Sequence, residues 1–158
     1  MKRILFTALV LLILSALVGC DFIKKNDGAA LGNEVGDTER VEKEGAVMNF
    51  VSYSDGKLTV KIENNTASTW QSGNMRDYRL VAERDGAWYE VEQIGEYANT
   101  MELMIFAPGQ TLTHTFSFND RYGKLSPGKY RVVKSWWANA TEDTEAGEFF
   151  LECEFTVE

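Results

Sequence analysis

Beyond residue 45 the chain alternates apolar and polar positions with a period of two, the signature of strands whose two faces meet different surroundings. Ala46 to Ser54 and Lys57 to Asn64 flank Asp55-Gly56, and Asp-Gly accepts the positive φ angles of a tight hairpin turn. Pairing Ser54 with Lys57 sets Tyr53 opposite Leu58, Val51 opposite Val60 and Asn49 opposite Ile62 on one face. Met48 and Phe50 then fall on the polar side. A second hairpin turns at Asp85-Gly86, with Arg84 against Ala87, Ala82 against Tyr89 and Leu80 against Val91. Its other face sets Arg79 across from Glu92, an exposed ion pair, and Glu83 across from Trp88. Met101 to Phe106 and Gln110 to Phe118 surround a Pro108-Gly109 turn, and Tyr130 to Trp137 and Glu148 to Val157 supply the last pair. About eight short strands with turn signals between them, and no helical period, predict an all-β antiparallel sandwich.

The first 45 residues follow another pattern. Met1-Lys2-Arg3 precedes 14 almost wholly apolar residues, Ile4 to Leu17, and then Val18-Gly19-Cys20. This is a secretory layout. Fourteen residues of helix rise about 21 Å, short of the roughly 30 Å a permanent span requires, so an uncleaved anchor is the weaker alternative. Leu17-Val18-Gly19-Cys20 resembles the lipobox of bacterial lipoproteins, in which the cysteine thiol takes a diacylglycerol and the peptide is cut before it. The resemblance implies a lipoprotein signal peptide at 1–19 and a palmitate-type lipid on Cys20. Residues 20–45, with four glycines and scattered charges, are expected to form a flexible acidic linker, with 46–158 as the folded domain.

Leu125-Ser126-Pro127-Gly128-Lys129-Tyr130 resembles the tyrosine corner of immunoglobulin-like sandwiches, where a Tyr at the start of a late strand bonds back to upstream backbone. Together with Leu58 to Thr66, the Asp85-Gly86-Ala87-Trp88-Tyr89 turn, Ala107-Pro108-Gly109, Tyr122-Gly123 and the closing Cys153 to Val157, the chain resembles bacterial Ig-like domains carried by small lipoproteins. The resemblance covers 46–158 and implies an immunoglobulin-like sandwich of about seven to eight strands that is not an enzyme. Leu125, Pro127 and Tyr130 take structural roles on this reading.

Charge narrows the partners. The chain carries 24 acidic and 16 basic groups, a formal charge of −8, and loss of residues 1–19 removes Lys2 and Arg3 and takes it to −10. Nucleic acid is therefore not an expected partner, and a bilayer contact must come through the lipid on Cys20 rather than through surface charge. With Cys20 lipidated, Cys153 has no intramolecular partner. It alternates with Phe149, Leu151, Phe155 and Val157 and is expected as a buried structural thiol.

Catalytic signatures are missing: there is no Gly-x-Ser-x-Gly, no His-Glu-x-x-His, no phosphate loop and a single histidine, His114. His114 alternates with Leu112, Phe116 and Phe118 and reads as a strand residue near the core. The stretch Asn139 to Glu148 places four carboxylates, including Glu142, Asp143 and Glu145, within seven residues, but without the spacing of a calcium loop, so it reads as a solvated acidic loop. No cofactor or metal is expected. Trp136 and Trp137 are adjacent, so their side chains take opposite faces. Parity with Tyr130 and Val132 turns Trp136 inward and Trp137 outward, and it also places Lys134 on the inner face, where a bulge would remove it. Trp137 beside the acidic loop, with Trp88 and Trp70, reads first as cover for sheet edges and otherwise as a contact surface for a sugar ring, a cell-wall fragment or a partner protein. The function that follows is a binding or display module, lipid-anchored at the extracytoplasmic face of the cell membrane. A cell-surface protease inhibitor working through the sandwich loops is the first alternative, and an enzyme with an unrecognised site is the second.

Overall fold

The computed structural model describes residues 29–36, 43–95 and 102–158. The expected signal peptide, the lipid-bearing Cys20 and Met101 lie outside the described residues. Ten strands form: β1 (Leu31–Val35), β2 (Ala46–Ser54), β3 (Lys57–Asn64), β4 (Trp70–Ser72), β5 (Arg79–Arg84), β6 (Ala87–Val91), β7 (Met104–Phe106), β8 (Thr111–Ser117), β9 (Gly128–Ala138) and β10 (Gly147–Val157), with a one-turn helix α1 (Asn119–Tyr122). They make two antiparallel sheets. The larger runs β1-β6-β5-β9-β4-β7, with β10 on the other side of β9, and the smaller runs β2-β3-β8.

The core lies between the sheets and is aromatic. Trp70, Phe106, Trp136 and Phe149 meet at ring separations of 5.0–5.9 Å, and Phe118 stacks on Phe155 at 5.4 Å. Leu58, Val60, Ile62 and Val132 are fully enclosed beside them. Such rings bury large apolar areas and prefer these offset and edge-on geometries.

Both hairpins turn at Asp-Gly, with φ of 50° and 72° at Asp55 and Gly56 and 54° and 85° at Asp85 and Gly86. Gly56 is doubly constrained, because a Cβ there would lie 2.2 Å from the Asn119 side chain that donates to the Asp55 carbonyl. The second hairpin has the expected register, Arg84 opposite Ala87 and Ala82 opposite Tyr89. Its ion pair differs: Arg79 reaches Glu90, 3.5 Å away, rather than Glu92. In the first hairpin the turn pairs agree, but the ladder shifts between Phe50 and Ser52, so that Phe50 faces Val60 and Met48 faces Ile62. The extra residue, Val51, is a β-bulge that flips the first half of β2. Met48 thereby enters the core, and Val51 is left 53% exposed.

Part of the segment expected as a linker, 20–45, is a strand instead. Leu31–Val35 is a strand paired with β6, Leu31 opposite Val91 and Val35 opposite Trp88, and the Glu92 amide donates to the Ala30 carbonyl at 2.8 Å. Five residues with Gly32 among them carry too little alternation to be recognised alone; pairing to an existing sheet edge supplies the hydrogen bonds that local sequence does not. The three-residue strand β4 was invisible for the same reason.

Candidate functional site

The corner residues fix the approach to β9. Tyr130 is buried, stacks on Phe155 at 5.7 Å and donates its hydroxyl to the Ser126 carbonyl at 2.8 Å. That bond spans the turn in which Leu125 is buried and Pro127 is exposed. Burial pushes the phenol up. Asn64 closes the opposite end of the small sheet. It is fully buried, and its amide donates to the Ser68 and Phe106 carbonyls at 2.9 and 3.0 Å while its oxygen accepts from the Thr66 amide and hydroxyl.

Cys153 lies on the inner face of β10 opposite Val132. Burial pushes its thiol up to about 11, with the Glu154 charge adding to the effect, the reverse of what a nucleophile needs. His114 sits on β8 opposite Val60, edge-on to Phe116 at 4.8 Å. Burial lowers its pKa first and Lys134 lowers it further, so the ring is held neutral.

Lys134 is the unexpected core residue. The β9–β10 ladder runs without a break from Gly128 to Ala138, so no bulge removes Lys134 from the inner face, and it is 0% exposed. Its position explains this. β9 pairs with β5 through Val133 and with β4 from Trp137 onward, leaving a gap bridged by residues 73–78. The Lys134 ammonium fills that gap, donating to Ser72 Oγ at 2.6 Å and to the Asp77 carbonyl at 2.8 Å, with the Trp136 ring 5.7 Å away. Desolvation pushes it down to about 8, opposed by Asp77.

The tryptophans divide. Trp70 is fully buried among core rings, which removes it from the expected contact surface. Its indole N–H donates to Thr66. Trp136 is buried and Trp137 is 46% exposed, as parity requires. Trp88 is half-covered because the guanidinium of Arg131 stacks over it at 4.1 Å, and Arg131 in turn pairs with Glu152 at 3.0 Å and Glu154 at 2.6 Å. Arg131 lies six residues before Trp137 along β9, about 20 Å at strand rise. Trp88 and Trp137 are therefore not one platform.

Around Trp137 the outer face is built from four strands. Register places Ile105 opposite Gln71, Gln71 opposite Trp137 and Trp137 opposite Glu148. Opposed residues of an antiparallel pair share a face, about 5 Å apart. Ile105 and the preceding Leu103 are exposed, 63% and 65%. Sequence reasoning missed Gln71 and Ile105, because the pairing that brings them beside Trp137 is non-local.

The acidic loop above this row is held by Thr141, whose hydroxyl accepts from the Asp143 and Thr144 amides, and by a Thr144 contact to Ser68 at 3.3 Å. Glu142, Asp143 and Glu145 all point to solvent. Among the described residues no three acidic, His or Cys side chains converge to hold a metal.

The stretch from β2 into the start of β10, with the corner at Tyr130 and the row on β9, matches a family model described as a bacterial Ig-like domain over residues 44–150. The chain belongs to that family. Comparison with curated proteins gives no match. This Ig-like domain points to an extracellular binding or display module of a family that is typically non-catalytic.

Proposed function

We propose that this Ig-like protein is a binding or display module tethered by lipid on Cys20 to the outer face of the cytoplasmic membrane, presenting the Trp137 face to its partner. The observation that carries the reading is the run Met1-Lys2-Arg3, fourteen apolar residues and Leu17-Val18-Gly19-Cys20 placed ahead of an Ig-like domain. Two acyl chains hold a protein at a bilayer far better than one, each buried methylene contributing about 0.8 kcal/mol. The acidic surface is repelled by anionic headgroups, so the lipid must supply the membrane affinity. The test is metabolic labelling with an alkynyl palmitate: the wild-type chain takes label and fractionates with membrane, and Cys20→Ser takes none and leaves the membrane. Equal labelling of the two would refute the anchor.

A further inference from the structure

We infer that the row Ile105–Gln71–Trp137–Glu148 is a stacking platform for a pyranose ring of a glycan that is uncharged or carries protonated amines. The inference deepens the contact-face reading above and rests on it. Three of the six large apolar side chains exposed among the described residues, Leu103, Ile105 and Trp137, gather at this end of the larger sheet. They do not form a continuous oily patch. Gln71 separates Ile105 from Trp137, and Glu148 closes the other flank.

An aromatic face bordered at about 5 Å on both sides by planar hydrogen-bonding groups suits a ligand with an apolar C–H face and a polar rim. A sugar ring has that form: its axial C–H bonds lie on the indole while adjacent hydroxyls reach the amide and the carboxylate. A protein hot spot needs a water-excluded centre, which a carboxylate and an amide inside the row do not provide. The row is an open sheet surface, so it fits the middle of a polymer rather than a chain end.

Charge selects among glycans. Glu148 stands in the row, Glu142, Asp143 and Glu145 project from the adjoining loop, and the row itself contains no cation. Anionic polymers are repelled by this arrangement, and amino groups are attracted.

The test is retention of the full-length chain, in detergent, on beads of chitosan, of chitin and of polygalacturonate. The expected result is retention on the first two, strongest on chitosan at low salt, and none on the polyanion. Trp137→Ala should weaken retention about tenfold, Gln71→Ala should weaken it less, and Trp137→Phe should preserve most of it. Glu148→Gln, which leaves Glu142, Asp143 and Glu145 in place, should reduce the preference for chitosan over chitin without abolishing it. Trp88→Ala, at the far end of the sheet, should bind as wild type. A matched thermal midpoint shows that Trp137→Ala has folded; should it not fold, Gln71→Ala and Glu148→Gln carry the test. Failure to bind any of the three polymers, preference for the polyanion, or undiminished retention by Trp137→Ala would overturn the platform, as would capture of a polypeptide on this face by a chain that retains no polymer. None of these results bears on the palmitate labelling, so the platform and the anchor fail separately.

Discussion

Replacing Lys134 by Met separates the cost of burying a charge from the value of its hydrogen bonds, because the two respond differently to pH. The folded lysine titrates near 8, below the ordinary value of 10.5. The unfolded chain therefore holds the proton more tightly, and stability contributed by this group rises as pH passes through 8 towards 10.5. A shift of this size corresponds to about 3 kcal/mol of destabilisation at neutral pH, of which about 2 kcal/mol is recovered between pH 7 and pH 9.5. Met has similar bulk and no charge, so at pH 7 it relieves that cost. It also strands the Asp77 carbonyl, at about 1–3 kcal/mol. Ser72 Oγ is less affected, since it still donates to the Ser135 carbonyl at 2.8 Å. The two effects nearly cancel at pH 7. At pH 9.5 the wild type has regained its share and the variant has not, so Lys134→Met should be worse by about a further 2 kcal/mol. The Cys153 thiol acts in the opposite sense: its raised folded pKa, about 11, costs stability as the unfolded thiol ionises above 9. That contribution is common to both chains and drops out of the difference. Urea unfolding followed by tryptophan fluorescence at pH 7, 8, 9 and 9.5 measures it. A stability difference between wild type and Lys134→Met that does not change with pH would refute the account of a charged, desolvated lysine.

Other expectations are simpler. Tyr130→Phe strands the Ser126 carbonyl and should cost about 1–3 kcal/mol in urea unfolding, whereas an unchanged midpoint would remove the corner from the stability account. Asn64→Ala deletes donors to two carbonyls and an acceptor for Thr66 in a fully buried site, and a loss of about 3 kcal/mol or more is expected by the same measurement. Cys153 should stay silent towards Ellman's reagent at pH 8 in the folded chain and react on addition of urea. Rapid native reaction would contradict its burial.

The parts of this fold legible in the sequence are those set by neighbours in the chain. Asp55-Gly56 and Asp85-Gly86 fix turn type and the first pairs of each hairpin, and strand parity alone separates Trp136 from Trp137. What stayed hidden depends on residues far apart. The bulge at Val51 answers to the need of Met48 for the core, which no local rule weighs. Leu31–Val35 becomes a strand because β6 offers an open edge. Trp88 looked available until Arg131, more than forty residues later, folded over it, and Lys134 looked misplaced until β9 was seen to change partners from β5 to β4. The row beside Trp137 has the same origin, since Gln71 and Ile105 reach it only through two short, non-local ladders.

The strand Leu31–Val35 also sets how far the domain can stand from a bilayer. If Cys20 holds the lipid, only the nine residues from Asp21 to Ala29 separate that cysteine from backbone already committed to the sheet by the Ala30 carbonyl. Nine residues span at most about 30 Å however they are arranged. On that condition a leash of this length would keep the module close to the headgroups, and whatever it grasped would have to come down to meet it.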